Sequence, residues 1–144
     1  FEKIRSFDID PDVWKIAEIF NIELVSNAWK FKASTQDIMD IDYNEHTYDT
    51  LNSSSEVTTV NREVPNTIVN TSCEHITNFN KWYDLLPKER LIILQSNNFT
   101  EVKEHVNCSN SLEEFSASAP MQKVLYEGEL DLGKYTRYMK IGRK

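Results

Sequence analysis

The chain has 144 residues, 40% of them hydrophobic, and a formal net charge of -7. That is the size of one domain with a sizeable core, and the acid excess argues against a nucleic-acid partner, whose phosphates need clustered Lys and Arg. No apolar run approaches the roughly 20 residues that span a bilayer; the longest is Leu91-Ile92-Ile93-Leu94.

Three Trp, six Tyr and seven Phe imply a folded chain in which large aromatics fill a core or line a cavity. The chain opens on Phe1, which fits either a fragment or a mature product left after removal of a signal peptide.

Asp10-Pro11-Asp12-Val13-Trp14 predicts a helix start, with Asp10 as N-cap and Pro11 in the first helical position, and the helix runs through about Phe20. From Ile22 the pattern alternates: Ile22, Leu24, Ser26 and Ala28 against Glu23, Val25, Asn27, Trp29 and Phe31. That alternation predicts a strand. Residues 37 to 55 are acidic and polar and end in a turn at Asn52-Ser53-Ser54-Ser55.

The β-branched stretches 56–64 and 66–76 predict two successive strands separated by Pro65. A polar turn with Trp82, Tyr83 and Pro87 follows, then a strand over 90–95. Ser111-Leu112-Glu113-Glu114 has the form of a capping box, so a helix starts there and runs to about Ala119, where Pro120 stops it. Val124 to Leu132 alternates with acidic residues as a strand with one solvated face, and the basic tail 134–144 reads as a solvated terminus. The absence of Gly before residue 128 leaves an all-helical fold as the alternative to this β-rich reading.

Four acceptor sequons, at Asn52, Asn70, Asn98 and Asn107, point to a secreted glycoprotein. The two cysteines, Cys73 and Cys108, agree, because an even count suits an oxidising compartment.

A catalytic reading finds little support. His46, His75 and His105 are far apart in sequence, with no His-x-x-x-His or Cys-x-x-Cys spacing to seat a metal, and there is neither a nucleophile elbow nor a phosphate-cradling glycine loop. The carboxylate pairs are what an acidic chain produces on its solvated faces. No enzyme, metal or cofactor is therefore expected. What remains is aromatic material on alternating strands, with Trp29, Phe31, Tyr43, Tyr48 and Trp82 as the ligand-binding candidates.

Two stretches resemble the salivary lipocalins of ticks. One is Trp14-Lys15-Ile16 on a short helix leading into Ile22-Glu23-Leu24-Val25. The other is Cys73, the strand Leu91–Leu94, then Cys108 and a helix beginning Leu112-Glu113-Glu114-Phe115. The resemblance covers about half of the chain.

It implies a single lipocalin-like domain over 1–144, an eight-stranded antiparallel barrel with a short N-terminal helix and a C-terminal helix packed outside. It also implies a disulfide between Cys73 and Cys108, which would close a loop of about 35 residues and contribute roughly 3 to 4 kcal/mol. Asn107, next to that bridge, then ranks below the other sequons. The function it implies is a secreted carrier that sequesters a biogenic amine, eicosanoid, fatty acid or sterol and so modulates host immune or inflammatory responses. Two alternatives stay open: a secreted protein whose surface binds a host immune receptor or factor, and an intracellular helical adaptor or acidic inhibitor.

Overall fold

A computed structural model describes all 144 residues, and the chain divides into two compact units, Phe1–Ile41 and Asp42–Lys144. Eight strands form three small sheets, two of two strands and one of four, none closed into a barrel, and four short helices accompany them. This mixed α/β architecture overturns the antiparallel lipocalin-like barrel and equally its all-helical alternative. The physical reason lies in the pairing. Two strand pairs are parallel, so the chain must cross between them through helices, and it does not return in the short hairpins that build an up-and-down barrel.

In the first unit β1 (Ile4–Asp8) and β2 (Phe31–Thr35) are parallel, with Ile4 opposite Phe31 and Asp8 opposite Thr35. The crossover carries α1 (Val13–Phe20) and α2 (Ile22–Ser26). Asp10 does not cap α1 by its side chain to the helix. Instead its Oδ1 accepts from Asp12 N at 2.9 Å and its carbonyl from Val13 N at 3.3 Å, so the helix begins two residues later than the sequence suggests.

The stretch from Ile22, expected as a strand, is the short helix α2. It stops where Ala28 and Trp29 take φ of 50° and 54°, a left-handed conformation that a bulky side chain enters only where the chain must reverse. Glu18 of α1 ties helix to strand: its carboxylate accepts from Ala33 N at 3.2 Å and pairs with Lys32 Nζ at 3.0 Å.

The second unit opens with a hairpin, β3 (His46–Leu51) and β4 (Val57–Glu63). Its turn is held by Asn52, whose Oδ1 accepts from Ser54 N at 2.9 Å and Glu56 N at 3.0 Å. The main sheet has the order β5 (Thr67–Asn70), β6 (Leu91–Asn97), β8 (Thr136–Arg143), β7 (Lys123–Asp131). β5 and β6 are parallel, linked through a 3-10 turn at Cys73–His75 and α3 (Phe79–Leu85). α4 (Leu112–Ser118) packs on β7 and β8.

Residues 72–76, expected to continue a strand, therefore turn instead, and the expected turn around Trp82 is a helix. The core explains both. Phe79, Trp82, Tyr83 and Leu86 are each at most 4% exposed and recur at i, i+3, i+4 and i+7, one face of a helix. They are buried with Ile92 and Leu94 of β6, Phe115 of α4 and Tyr138 of β8.

The basic tail is not a solvated terminus: it is β8, a central strand. Its Lys140, 3% exposed, is neutralised by Glu127 at 3.1 Å and donates to Ser116 O at 2.9 Å and Ser116 Oγ at 2.6 Å. Gly142 is required where β8 runs against β7, because a Cβ there would strike the Lys123 carbonyl oxygen and Met121 Sδ. No helix is long and apolar enough to cross a membrane.

Candidate metal centre

The five aromatics expected to line one cavity do different things. Trp82 and Tyr43 are buried together, with Trp82 Nε1 donating to Tyr43 Oη at 2.8 Å and the rings edge to face at 6.4 Å. Tyr48 lies on the hairpin and donates to Glu63 Oε1 at 2.7 Å. In the first unit Phe31 is buried, whereas Trp29 is exposed, with Lys32 Nζ 5.1 Å from its ring centre. Two hollows flank α4. One is lined by Leu112, Glu113, Ser116, Ala117 and Glu127, the other by Asn80, Tyr83, Asp84 and the end of α4, and neither includes any of the five.

The polar chemistry concentrates elsewhere, at the end of β6 where two connections meet. The first is the turn after β5. Asn70 Oδ1 accepts from Ser72 N at 2.9 Å, His75 N bonds back to Ser72 O at 3.1 Å, and the turn carries Cys73, Glu74 and His75. The second is the loop between β6 and α4, which carries His105 and Cys108. Asn107 joins the two, donating from its backbone to Glu74 O at 2.9 Å and from Nδ2 to Cys73 O at 3.2 Å.

These connections bring Glu74, His75 and His105 together. One ligand atom from each lies within 4.8 Å of the others, and the two imidazoles meet edge to face at 4.6 Å. Glu74 is 4% exposed. Its Oε1 accepts from Asn97 Nδ2 at 2.7 Å, while its Oε2 is buried without any hydrogen-bond partner. Asn97 is oriented for this contact, because its own Oδ1 accepts from Phe99 N at 2.8 Å.

His105 is held in the same way. Its Nδ1 lies 2.5 Å from the Phe99 carbonyl, an acceptor only, so Nδ1 carries the proton and the lone pair is left on Nε2. Carboxylate and imidazole are thus each gripped through one polar atom, with the other left to the cluster. That is how outer partners orient the ligands of a metal.

Both cysteines border the cluster as free thiols, Cys73 buried and Cys108 half-buried. Cys73 Sγ donates to Asn70 O at 3.7 Å and Cys108 Sγ to Phe99 O at 3.3 Å. Burial, and then the charge of Glu74, holds both thiols above their usual range. The sequons differ in setting: Asn52 is exposed on the hairpin turn, whereas Asn98 Oδ1 accepts from Thr136 N at 2.7 Å and Asn107 Nδ2 is engaged within the cluster.

The sequence reading did not single out this cluster because it sought metal ligands at short spacings, and His105 lies thirty positions beyond His75. The signal available was the pair of short runs Cys73-Glu74-His75 and His105-x-x-Cys108, each with ligating chemistry and each in a polar connection. No protein-family model and no curated protein matches the chain. The likeness to tick lipocalins therefore rests on its motifs alone, and the barrel cavity that a carrier of that kind needs is not formed.

Proposed function

We propose that the chain is an extracellular domain that binds a divalent transition metal, Zn2+ foremost, through Glu74, His75 and His105. The observation that carries this reading is the unpartnered Oε2 of Glu74, buried beside two imidazoles. A carboxylate oxygen with no donor is expensive to bury. A cation at that point removes the penalty and uses the lone pairs that the Asn97 and Phe99 contacts leave available. Two nitrogens and one oxygen suit Zn2+, a borderline ion that accepts His and Glu together. The four sequons and the even cysteine count support the extracellular setting.

Calorimetric titration of metal-free protein with Zn2+ tests the proposal. The native chain is expected to take up one equivalent, and His75→Ala, at an exposed position where folding is not at risk, is expected to weaken uptake at least tenfold. A flat titration, or uptake unchanged in His75→Ala and Glu74→Gln, contradicts it.

A further inference from the structure

β7 lies at the margin of the main sheet and pairs with β8 alone, so one row of its backbone N–H and C=O groups meets no strand. It is nine residues long, where β5 at the opposite margin has four, and all of its residues except Gly128 are exposed. Sheet margins are commonly protected by proline, lysine or bulges. β7 has no proline, its one lysine is Lys123 at the start, and its one register shift falls between Val124 and Tyr126. From Tyr126 to Asp131 the edge is regular and open.

The two faces of that stretch differ. Glu127, bonded to Ser116 of α4, shares the α4 side with Glu129 and Asp131, while Tyr126, Gly128 and Leu130 take the other side. Tyr126 is 50% and Leu130 59% exposed. Glu113 and Glu114 of α4 add to the acidic side: burial first, and then the charges of Glu129, Glu114 and Glu113, push the Tyr138 phenol up. Of these carboxylates only Glu127 has a basic partner within ion-pair distance, Lys140. Beside the edge, the hollow lined by Leu112, Glu113, Ser116, Ala117 and Glu127 offers an apolar wall to the stem of a long basic side chain and carboxylates to its head.

Directly opposed residues of paired strands lie on one face and interact. A second copy of β7 would set carboxylate against carboxylate along the α4 side, which like-charge repulsion disfavours. A strand that alternates Lys or Arg with apolar residues instead sets cations against Glu127, Glu129 and Asp131, and apolar groups against Tyr126 and Leu130. We infer that β7 is a docking edge for an extended segment of a partner protein, one that alternates basic with apolar residues and adds to the four-stranded sheet as a further strand. Metal at Glu74, His75 and His105 is not required for it.

A short amidated peptide alternating Lys with Val tests the assignment against the full chain, with affinity read by fluorescence anisotropy and the site by hydrogen exchange. Saturable binding is expected, with new protection of amides within 126–131. A peptide of the same composition with its lysines in one block, and the alternating peptide N-methylated at every second residue, keep the charge but cannot complete the ladder, and both are expected to bind about tenfold more weakly. Glu129→Lys, at an exposed position, is expected to weaken the alternating peptide about fivefold. No binding, equal binding of the blocked or N-methylated peptide, or an affinity unchanged in Glu129→Lys overturns the inference. So does protection confined to another part of the chain, or sedimentation showing that the protein pairs with itself through β7.

Discussion

The two units use the same device, a parallel strand pair joined by a helical crossover, and they differ in what the crossover buries. In the first, α1 has no buried residue and Ile16, Ile19 and Phe20 are exposed. In the second, α3 buries Phe79, Trp82 and Tyr83, and Ile92 and Leu94 of the main sheet are fully covered. The candidate centre belongs to the second unit, and the difference indicates why. A metal site needs its donors held within fractions of an ångström, and here Asn97, at the end of the best-buried strand, fixes the orientation of Glu74. A polar cluster on the first unit would have no comparable frame.

The sharpest way to break that contrast is to empty the second core. Trp82→Ala is expected to destabilise by about 3 to 5 kcal/mol, whereas Trp29→Ala, at a side chain 57% exposed, should change stability by about 0.5 kcal/mol or less. Urea denaturation of both variants measures the gap, and equal effects would remove the distinction.

Gly142→Ala places a Cβ against the Lys123 carbonyl and Met121. Overpacking of this kind costs about 1 to 3 kcal/mol, read from the same transitions.

Glu127 comes next. Its hydrogen bond from Ser116, then that from Lys140, hold its carboxyl below the ordinary glutamate value of 4.5. The sign follows: a lowered folded pKa contributes stability that is present above about pH 4.5 and lost as pH falls through the folded value. Glu127→Gln is expected to cost about 1 to 2 kcal/mol at pH 7 by leaving the Lys140 charge with Ser116 alone, and to flatten the acid side of the stability curve. Stability profiles of both proteins between neutral pH and pH 3 provide the check.

Tyr83 works at the other end of the scale. Burial pushes its phenol up to about 12 from 10.0, so the fold loses stability as pH rises from about 10 to 12. In Tyr83→Phe that loss should be smaller, with the ionisation followed by ultraviolet absorbance.

A modest effect is expected at α4. Ser111 Oγ accepts from Glu114 N at 3.2 Å, and Ser111→Ala should cost about 1 kcal/mol.

That last element was legible in the sequence, from Ser111 to the stop at Pro120, because capping and termination are local chemistry. The apolar run of β6 and the existence of a strand at β7 were legible for the same reason, although both faces of β7, and not one, are exposed. α2 was not, because five residues from Ile22 to Ser26 satisfy either period and the reversal at Ala28 and Trp29 has no sequence mark. β8 looked like a solvated tail because Lys140 counts as polar until Glu127 and Ser116 are seen to receive it. The stripe Phe79, Trp82, Tyr83, Leu86 was present at helical spacing and was overlooked beside Pro87.

Strand pairing, and hence the open sheets, depends on contacts across the fold that no local pattern carries. The centre shares that dependence. Glu74 and His75 are neighbours, but His105 reaches them only through the β6 register and the Asn107 bridge.

X-ray absorption at the zinc edge of protein loaded with one equivalent tests the central claim most directly. Coordination by Glu74, His75 and His105 predicts a nitrogen and oxygen shell at about 2.0 to 2.1 Å with outer scattering from two imidazoles. A shell of oxygen alone, without imidazole scattering, or one in which sulfur at about 2.3 Å takes the place of the imidazole nitrogens, would contradict it.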